Sequence, residues 1–151
     1  MPTHKFLLLP ENEGDYAAYA QHVSDPRALK VSDDLIRYML DTLNWIPSIN
    51  PANQAAWNGY GLNYYGPTVI NKTGAPKAAR IFLMWGSLFQ EGPDKIELTG
   101  SYQWLEGAPE SSGQYEKITM PRESIAKTIL DLAELAEGAI SGEFYLLHVG
   151  I

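Results

Sequence analysis

The sequence predicts a single α+β domain, a layer sandwich in which a mixed or antiparallel sheet of about four or five strands packs with three or four helices. Two patterns carry this prediction. Residues 95–104 alternate between apolar and polar side chains, as a half-buried strand does. Residues 35–43 place apolar side chains three or four positions apart, the spacing of an amphipathic helix. Extended and helical patterns are interleaved without a repeat or a linker, so one domain covers residues 1–151.

The N-terminal elements are short. The apolar run Lys5–Leu9 is bounded by a proline and predicts a strand, and residues 14–23 predict a short helix. Ser32 is a good N-cap for the amphipathic helix, and the two aspartates that follow it complement the helix dipole. We expect this helix to run for about three turns and to end near Trp45.

The segment from Thr42 to Asn71 contains no charged residue and is rich in asparagine and aromatic side chains. Its first part has the composition of turns, and residues 62–70 suggest a strand interrupted at a Gly-Pro pair. One interpretation is an irregular segment that packs its aromatic rings inward, which we expect for Trp45 and for at least one of Tyr64 and Tyr65. The other interpretation is a binding surface, because aromatic rings and amides suit both sugars and protein interfaces.

The C-terminal elements are better marked by helix breakers and alternation. The inner face of the last helix should carry Ile125, Ile129, Leu132 and Ala136. The terminal strand is almost continuously apolar, which is typical of a central strand covered on at least one face. The predicted order is a helix between Gly74 and Gly92, a hairpin of 95–104 with 114–119, a helix opened by Pro121, and a strand at Phe144–Val149.

The charge of the chain is strongly one-sided. Residues 1–90 carry seven acidic and seven basic side chains, whereas residues 91–151 carry eleven acidic side chains against four basic ones. The whole net charge of −7 therefore lies in the C-terminal segment. Such a field repels nucleic acid and attracts cationic partners, so we expect a basic protein as partner and neither nucleic acid nor a membrane.

Composition limits the chemistry further. The chain has no cysteine, which excludes disulfides, thiol catalysis and cysteine-built zinc sites. The apolar run at Phe6–Leu9 is too short for a signal peptide, and no apolar run has the length of a membrane span, so we expect a cytoplasmic location. The three histidines show no metal-ligand spacing, and we expect no metal and no cofactor. We expect His148 to be a partly buried, hydrogen-bonded side chain.

No nucleophile elbow or phosphate-binding loop is present, so no constellation of residues defines a reaction. An alternative function is a small enzyme, such as a hydrolase acting on a saccharide-like substrate. Its site would combine Trp57, Tyr60 or Tyr64 with a carboxylate such as Glu97 or Glu106. Such chemistry needs two carboxylates about 5–10 Å apart across a cleft, which only a structure can reveal.

Four segments invite comparison with known families: 59–67, 81–85, 96–100 and 146–151. In overall type, the chain resembles the small, acidic, cytoplasmic immunity proteins of bacterial contact-dependent and polymorphic toxin systems. The resemblance implies a protein without catalytic activity that binds one cationic toxin domain, often a nuclease, and blocks its active site. It carries over no site residue, because no motif matches residue by residue.

The residues expected to meet such a partner follow from charge and from aromatic character. Acidic side chains would attract the basic partner, and aromatic side chains would anchor it. A homo-oligomeric structural protein is a third possibility, and the oligomeric state stays open. The acids expected to attract the partner are Glu91, Asp94, Glu97, Glu106 and Glu110, and the aromatic residues expected to anchor it are Trp57 and Tyr60.

Overall fold

A computed structural model describes residues 1–151 and contains three α-helices and eight strands. The helices are α1 (Asp33–Leu43), α2 (Ala75–Gln90) and α3 (Arg122–Gly138). Short 3-10 helices occupy Ala17–His22, Gln54–Ala56 and Glu110–Ser112. The strands are β1 (Thr3–Pro10), β2 (Leu29–Ser32), β3 (Pro47–Ile49), β4 (Asn58–Tyr60), β5 (Pro67–Ile70), β6 (Lys95–Gln103), β7 (Gln114–Pro121) and β8 (Phe144–Val149).

Six strands form one sheet in the order β2-β1-β8-β5-β3-β4, and every neighbouring pair is antiparallel. β6 and β7 form a separate two-stranded hairpin, which we name the β6–β7 arm. The predicted α+β class is confirmed, and the sheet is antiparallel rather than mixed. It has more strands than predicted, because β2, β3 and β4 are only three or four residues long and too short to show alternation.

Both faces of the large sheet are buried. Phe6, Leu146 and Ile70 point to the side covered by the helices, where they belong to the main core with Phe82. The opposite side carries Leu7, Leu9, Val69, Tyr145 and Leu147, and Tyr16 and Trp57 pack over it. The continuous apolar sequence of β8 follows from this arrangement, because its alternate side chains enter two different cores.

Helices α2 and α3 pack closely because small residues face each other between them. A Cβ atom added at Gly86 would lie 2.6 Å from Cδ2 of Leu130 and 3.3 Å from its backbone nitrogen. Alanines on both helices are buried in the same core, including Ala78 and Ala79 on α2 and Ala133 on α3. The contact between the helices therefore depends on the missing side chain at Gly86.

Several local predictions are confirmed and two need correction. Ser32 caps α1, with its hydroxyl accepting a hydrogen bond from the Leu35 N–H at 3.3 Å, and the predicted inner face of α3 is buried. The expected strand at 62–70 is reduced to β5, because residues 62–66 form the turn that leads into it. The expectation that Trp45 packs inward is wrong. Its ring is 60% exposed, because the chain turns toward β3 after α1 and the buried position falls to Ile46.

Gly86→Val should destabilise the protein by about 1–3 kcal/mol, because the added methyl groups overpack the contact with Leu130. Chemical denaturation measures the difference. Ser87→Val is the control, since Ser87 is exposed on the same helix and valine meets no clash there. Valine has a higher helix propensity than glycine, so a loss of stability in Gly86→Val comes from packing. Equal stability of the two variants would show that α2 and α3 are less tightly packed than described.

Candidate protein-binding surface

A shallow apolar groove lies between α1 and α2. It has a volume of about 230 Å³ and is lined by Thr42, Trp45, Ile81, Met84, Trp85 and Leu88, which we name the α1–α2 groove. Trp45, Met84 and Leu88 are each 60–63% exposed. Large apolar side chains grouped in this way on a surface are typical of sites where another molecule binds.

The floor of the groove is held in place by specific contacts. Trp85 donates a hydrogen bond from Nε1 to the Thr42 hydroxyl at 2.8 Å. Its ring lies edge-on to Tyr38 at 5.8 Å between ring centroids, and it stacks on Phe89 at 5.7 Å. These contacts fix the indole in one orientation, so a molecule that enters the groove meets a preformed surface.

Acidic side chains lie near the groove along both helices. On α1, Asp34, Tyr38 and Asp41 share one face at spacings of four and three residues, and Trp45 follows four residues after Asp41, in the turn just beyond the end of the helix. On α2, Glu91 caps the C-terminal end, one turn beyond Leu88. None of the three acids forms an ion pair in the structure.

The five acids expected from the sequence are all exposed, but they form two groups. Glu91, Asp94 and Glu97 lie where α2 ends and the β6–β7 arm begins. Asp94 pairs with Arg122 at 3.0 Å and Glu97 with Lys117 at 3.5 Å. Of this group, Glu91 lies nearest along the chain to the α1–α2 groove, three residues beyond the lining residue Leu88.

Glu106 and Glu110 lie in the turn at the tip of the arm. β6 has nine residues, and a strand rises about 3.3 Å per residue, so the tip is roughly 30 Å from the base. The arm carries aromatic side chains near its tip, where Tyr102 packs against Tyr115 at 5.1 Å and against Trp104 at 6.0 Å. The two groups of acids therefore do not form one compact patch.

The two expected aromatic anchors lie elsewhere. Trp57 is half-buried and stacks on Tyr16 over the sheet face away from the helices. Tyr60 is 74% exposed on the edge strand β4. The groove beside Tyr60 is lined by polar and apolar residues without a carboxylate: Pro47, Ser48, Ile49, Asn58, Gly59, Asn71 and Thr73. A glycosidase-like site would require a carboxylate such as Glu97 or Glu106 beside the aromatic–asparagine segment. The structure does not place either of them there.

A second polar feature, which the sequence did not reveal, is buried under the helices. His148 on β8 contacts His4 on β1 through Nε2 and Nδ1 at 2.8 Å. His4 Nε2 lies 3.1 Å from Oδ1 of Asp33, and Tyr64 donates its hydroxyl proton to the same oxygen. At the other end, His148 Nδ1 lies 3.2 Å from the Thr68 hydroxyl. We name these five residues the histidine network.

One set of proton positions satisfies the whole network. A carboxylate only accepts hydrogen bonds, so the Asp33 contact places a proton on His4 Nε2, and in this set His4 Nδ1 is an acceptor. His148 then carries its proton on Nε2, and its Nδ1 accepts from Thr68. The Thr68 oxygen in turn accepts from the Asn63 N–H at 2.7 Å. No buried side-chain nitrogen or oxygen is left without a partner.

Burial shapes the titration of the network. Desolvation, together with the facing His4 ring, lowers the pKa of His148 to about 3. Burial and the hydrogen bond to Asp33 raise the pKa of Tyr64 to about 12. Because both histidine rings are fully buried, a substrate has no access to them in this structure. The network therefore ties β1, α1, β5 and β8 together rather than forming an accessible catalytic site.

Sequence reasoning missed both features for different reasons. The α1–α2 groove was signalled by the alternation of acids and aromatics on the face of α1 opposite Leu35, Met39 and Leu43. The histidine network had no such signal, since 144 residues separate His4 from His148. Only the pairing of β1 with β8 brings them together.

Comparisons with family models, with curated proteins and with solved structures give no match to this chain. No group of three or more histidine or acidic side chains is arranged to hold a metal ion. None of the helices combines the length and apolar character needed to cross a bilayer.

The protein should lose stability in acid through His148. An exposed histidine has a pKa of 6.5, so below that pH the unfolded chain binds a proton that the folded chain excludes until about pH 3. The contribution is complete above pH 6.5 and falls with decreasing pH by up to about 1.4 kcal/mol per unit. Denaturation curves of the wild type and His148→Asn between pH 7 and 4 measure it.

In this experiment, His148→Asn should show the shallower dependence of unfolding free energy on pH. His22→Asn is the control, because it removes a histidine that lies near the surface outside the network, where it pairs with Asp25. Nitrogen NMR of the wild type should find His148 neutral and protonated on Nε2 at pH 5. Parallel curves for the wild type and His148→Asn would contradict the assignment.

Tyr64→Phe should destabilise the protein by about 1–3 kcal/mol, because it leaves the nearly buried Asp33 carboxylate without one of its donors. Tyr65→Phe removes the same hydroxyl from a ring that is 81% exposed and should change stability little. Urea denaturation of both variants tests the difference. A Tyr64 variant as stable as the control would mean that water replaces the hydroxyl at no cost.

Proposed function

We propose that this chain is a non-catalytic protein-binding module that binds and neutralises a cationic bacterial toxin domain, as an immunity protein does. The observation that carries the proposal is the uncompensated acidity of residues 91–151. Three of the four cations in this segment are paired, namely Lys117, Arg122 and Lys127. Eight of its eleven acids therefore have no cation within ion-pair distance.

The placement of these acids supports binding rather than folding as their role. Glu91, Glu106 and Glu110 are exposed and hold no other side chain in place through an ion pair. Exposed like charges repel one another and contribute nothing to the stability of the free protein. They do accelerate encounter with a basic protein, and the effect decreases as salt screens the charges.

A cationic partner also explains how binding would neutralise a toxin. Nucleases hold the phosphate backbone with lysine and arginine side chains, and the same side chains would be attracted to this surface. A bound acidic protein would occupy those cations and exclude the nucleic acid. This mechanism needs no catalytic group on the inhibitor, only charge and a surface that gives lasting contact.

The test is affinity capture of the tagged chain from its host's lysate at low and high salt, read by mass spectrometry. We expect one basic protein, recovered in stoichiometric amount and lost more readily at high salt. Expressed alone in a bacterial host, that protein should arrest growth, and co-expression of this chain should restore it. A partner that is harmless alone, or no basic partner at either salt, would contradict the proposal.

The charge dependence is tested with the purified partner. Converting the five expected acids to amides should slow association at low salt several-fold or more. The control converts five different exposed acids, none of which forms an ion pair, and gives the same net charge: Glu13, Glu123, Glu134, Glu137 and Glu143. Association that ignores both salt and these charges would show that the acidic segment does not steer the partner.

A further inference from the structure

We propose that the α1–α2 groove is where this partner docks, and that its occupant is a basic segment that inserts a large apolar side chain into the groove. This inference rests on the proposed function and adds the place and the chemistry of contact. The acids of the C-terminal segment provide attraction at a distance. The groove provides the apolar contact that charge alone does not give.

This groove is lined by exposed side chains of the types found at protein interfaces. Trp45 and Met84 belong to the residue types that are enriched at protein interfaces, and both are more than half exposed. Its floor is already ordered by the hydrogen bond from Trp85 to Thr42, so little conformational entropy is lost there on binding. The groove is open along its length, which suits a side chain presented from another protein's surface.

Charge complementarity identifies the occupant as basic. Asp41 lies one turn before Trp45, and Glu91 lies one turn beyond Leu88, so acids stand at both helices that border the groove. Neither acid is paired with a cation in the free protein. Lysine or arginine side chains beside the partner's apolar anchor would pair with them.

The distribution of charge along α2 sets the orientation in which the partner would bind. Lys77 and Arg80 lie on the N-terminal half of α2, whereas Glu91 lies at its C-terminal end. The partner's cations should therefore be placed toward the Glu91 end. A second copy of this chain is a poor occupant, because each copy carries a net charge of −7 and the two would repel each other.

The experiment places a photo-reactive benzophenone amino acid at Leu88, Tyr60 or Glu110 of the full-length chain and irradiates it with the captured partner. We expect cross-links from Leu88 and none from Tyr60, which lies on the edge strand β4. Trp45→Ala and Met84→Ala should each weaken binding about 30-fold, a loss typical of a hot-spot residue. Tyr65→Ala removes an aromatic ring that is 81% exposed and lies outside the α1–α2 groove, so it should change affinity less than twofold.

Charge is tested at the same place. Asp41→Asn with Glu91→Gln should weaken binding at low salt and reduce its salt dependence, while Glu134→Gln with Glu137→Gln on α3 should do so less. Circular dichroism checks that every variant folds. Because Trp45 and Met84 are both exposed and lie on different elements, the turn after α1 and helix α2, failure of one variant to fold leaves the other as a valid test.

The outcomes separate this inference from the proposed function. Cross-links from Tyr60 or Glu110 alone, with unchanged affinity of Trp45→Ala, would overturn the groove as the docking site and leave the binding function standing. A mass that doubles with concentration and is reversed by Trp45→Ala would identify a second copy as the occupant and overturn the basic segment. Absence of any basic partner would remove the proposed function and this inference together.

Discussion

The position of β8 between β1 and β5 is the constraint on which the rest of the structure depends. Every hydrogen-bonding edge of this C-terminal strand is occupied, by the N-terminal strand on one side and by the middle of the chain on the other. Its side chains alternate between two cores, so Leu146 enters the core under the helices while Leu147 enters the core on the opposite face. Removing this strand would open both cores at once.

The histidine network sits where that pairing is completed. His148 and His4 are hydrogen-bonded to each other on neighbouring strands, and Asp33, in the first turn of α1, contacts His4. A fully satisfied buried polar chain adds little net stability compared with apolar packing, but it rejects other arrangements, because each misplaced member would be left without a partner. We interpret the network as a device that sets the registry of α1 against the sheet. Tyr64 extends it to the turn before β5 and so connects it with the surface.

Periodicity in the sequence was sufficient to predict the long helices and strands, but it did not predict the contacts between them. The alternation of residues 95–104 and the apolar spacing of α1 and α3 follow directly from which side chains must be buried, so they were predictable. The short strands β3 and β4 are held by their neighbours rather than by local preference, so the turn-rich composition of 47–60 concealed them. Trp45 was wrongly predicted to be buried, because aromatic character alone does not show whether a side chain is buried or exposed. The five expected acids were correctly assigned to the surface by their charge, but their separation along the arm depends on the length of β6.

On this surface, the acidic side chains at the arm tip lie apart from the apolar side chains of the α1–α2 groove, and the two would contribute to binding in different ways. The acids at the arm tip would act on the proposed basic partner through a field that reaches about one Debye length, roughly 8–10 Å at physiological salt, so they would influence it before contact but hold it weakly. The α1–α2 groove acts only on contact, and its apolar lining is insensitive to salt. Glu91 belongs to both, since it ends α2 beside Leu88 and begins the acidic segment. In the proposed complex, Glu91 would attract the basic partner to the place where the acidic segment and the helical surface join, and binding would combine a fast, salt-sensitive encounter with a slower, salt-resistant release.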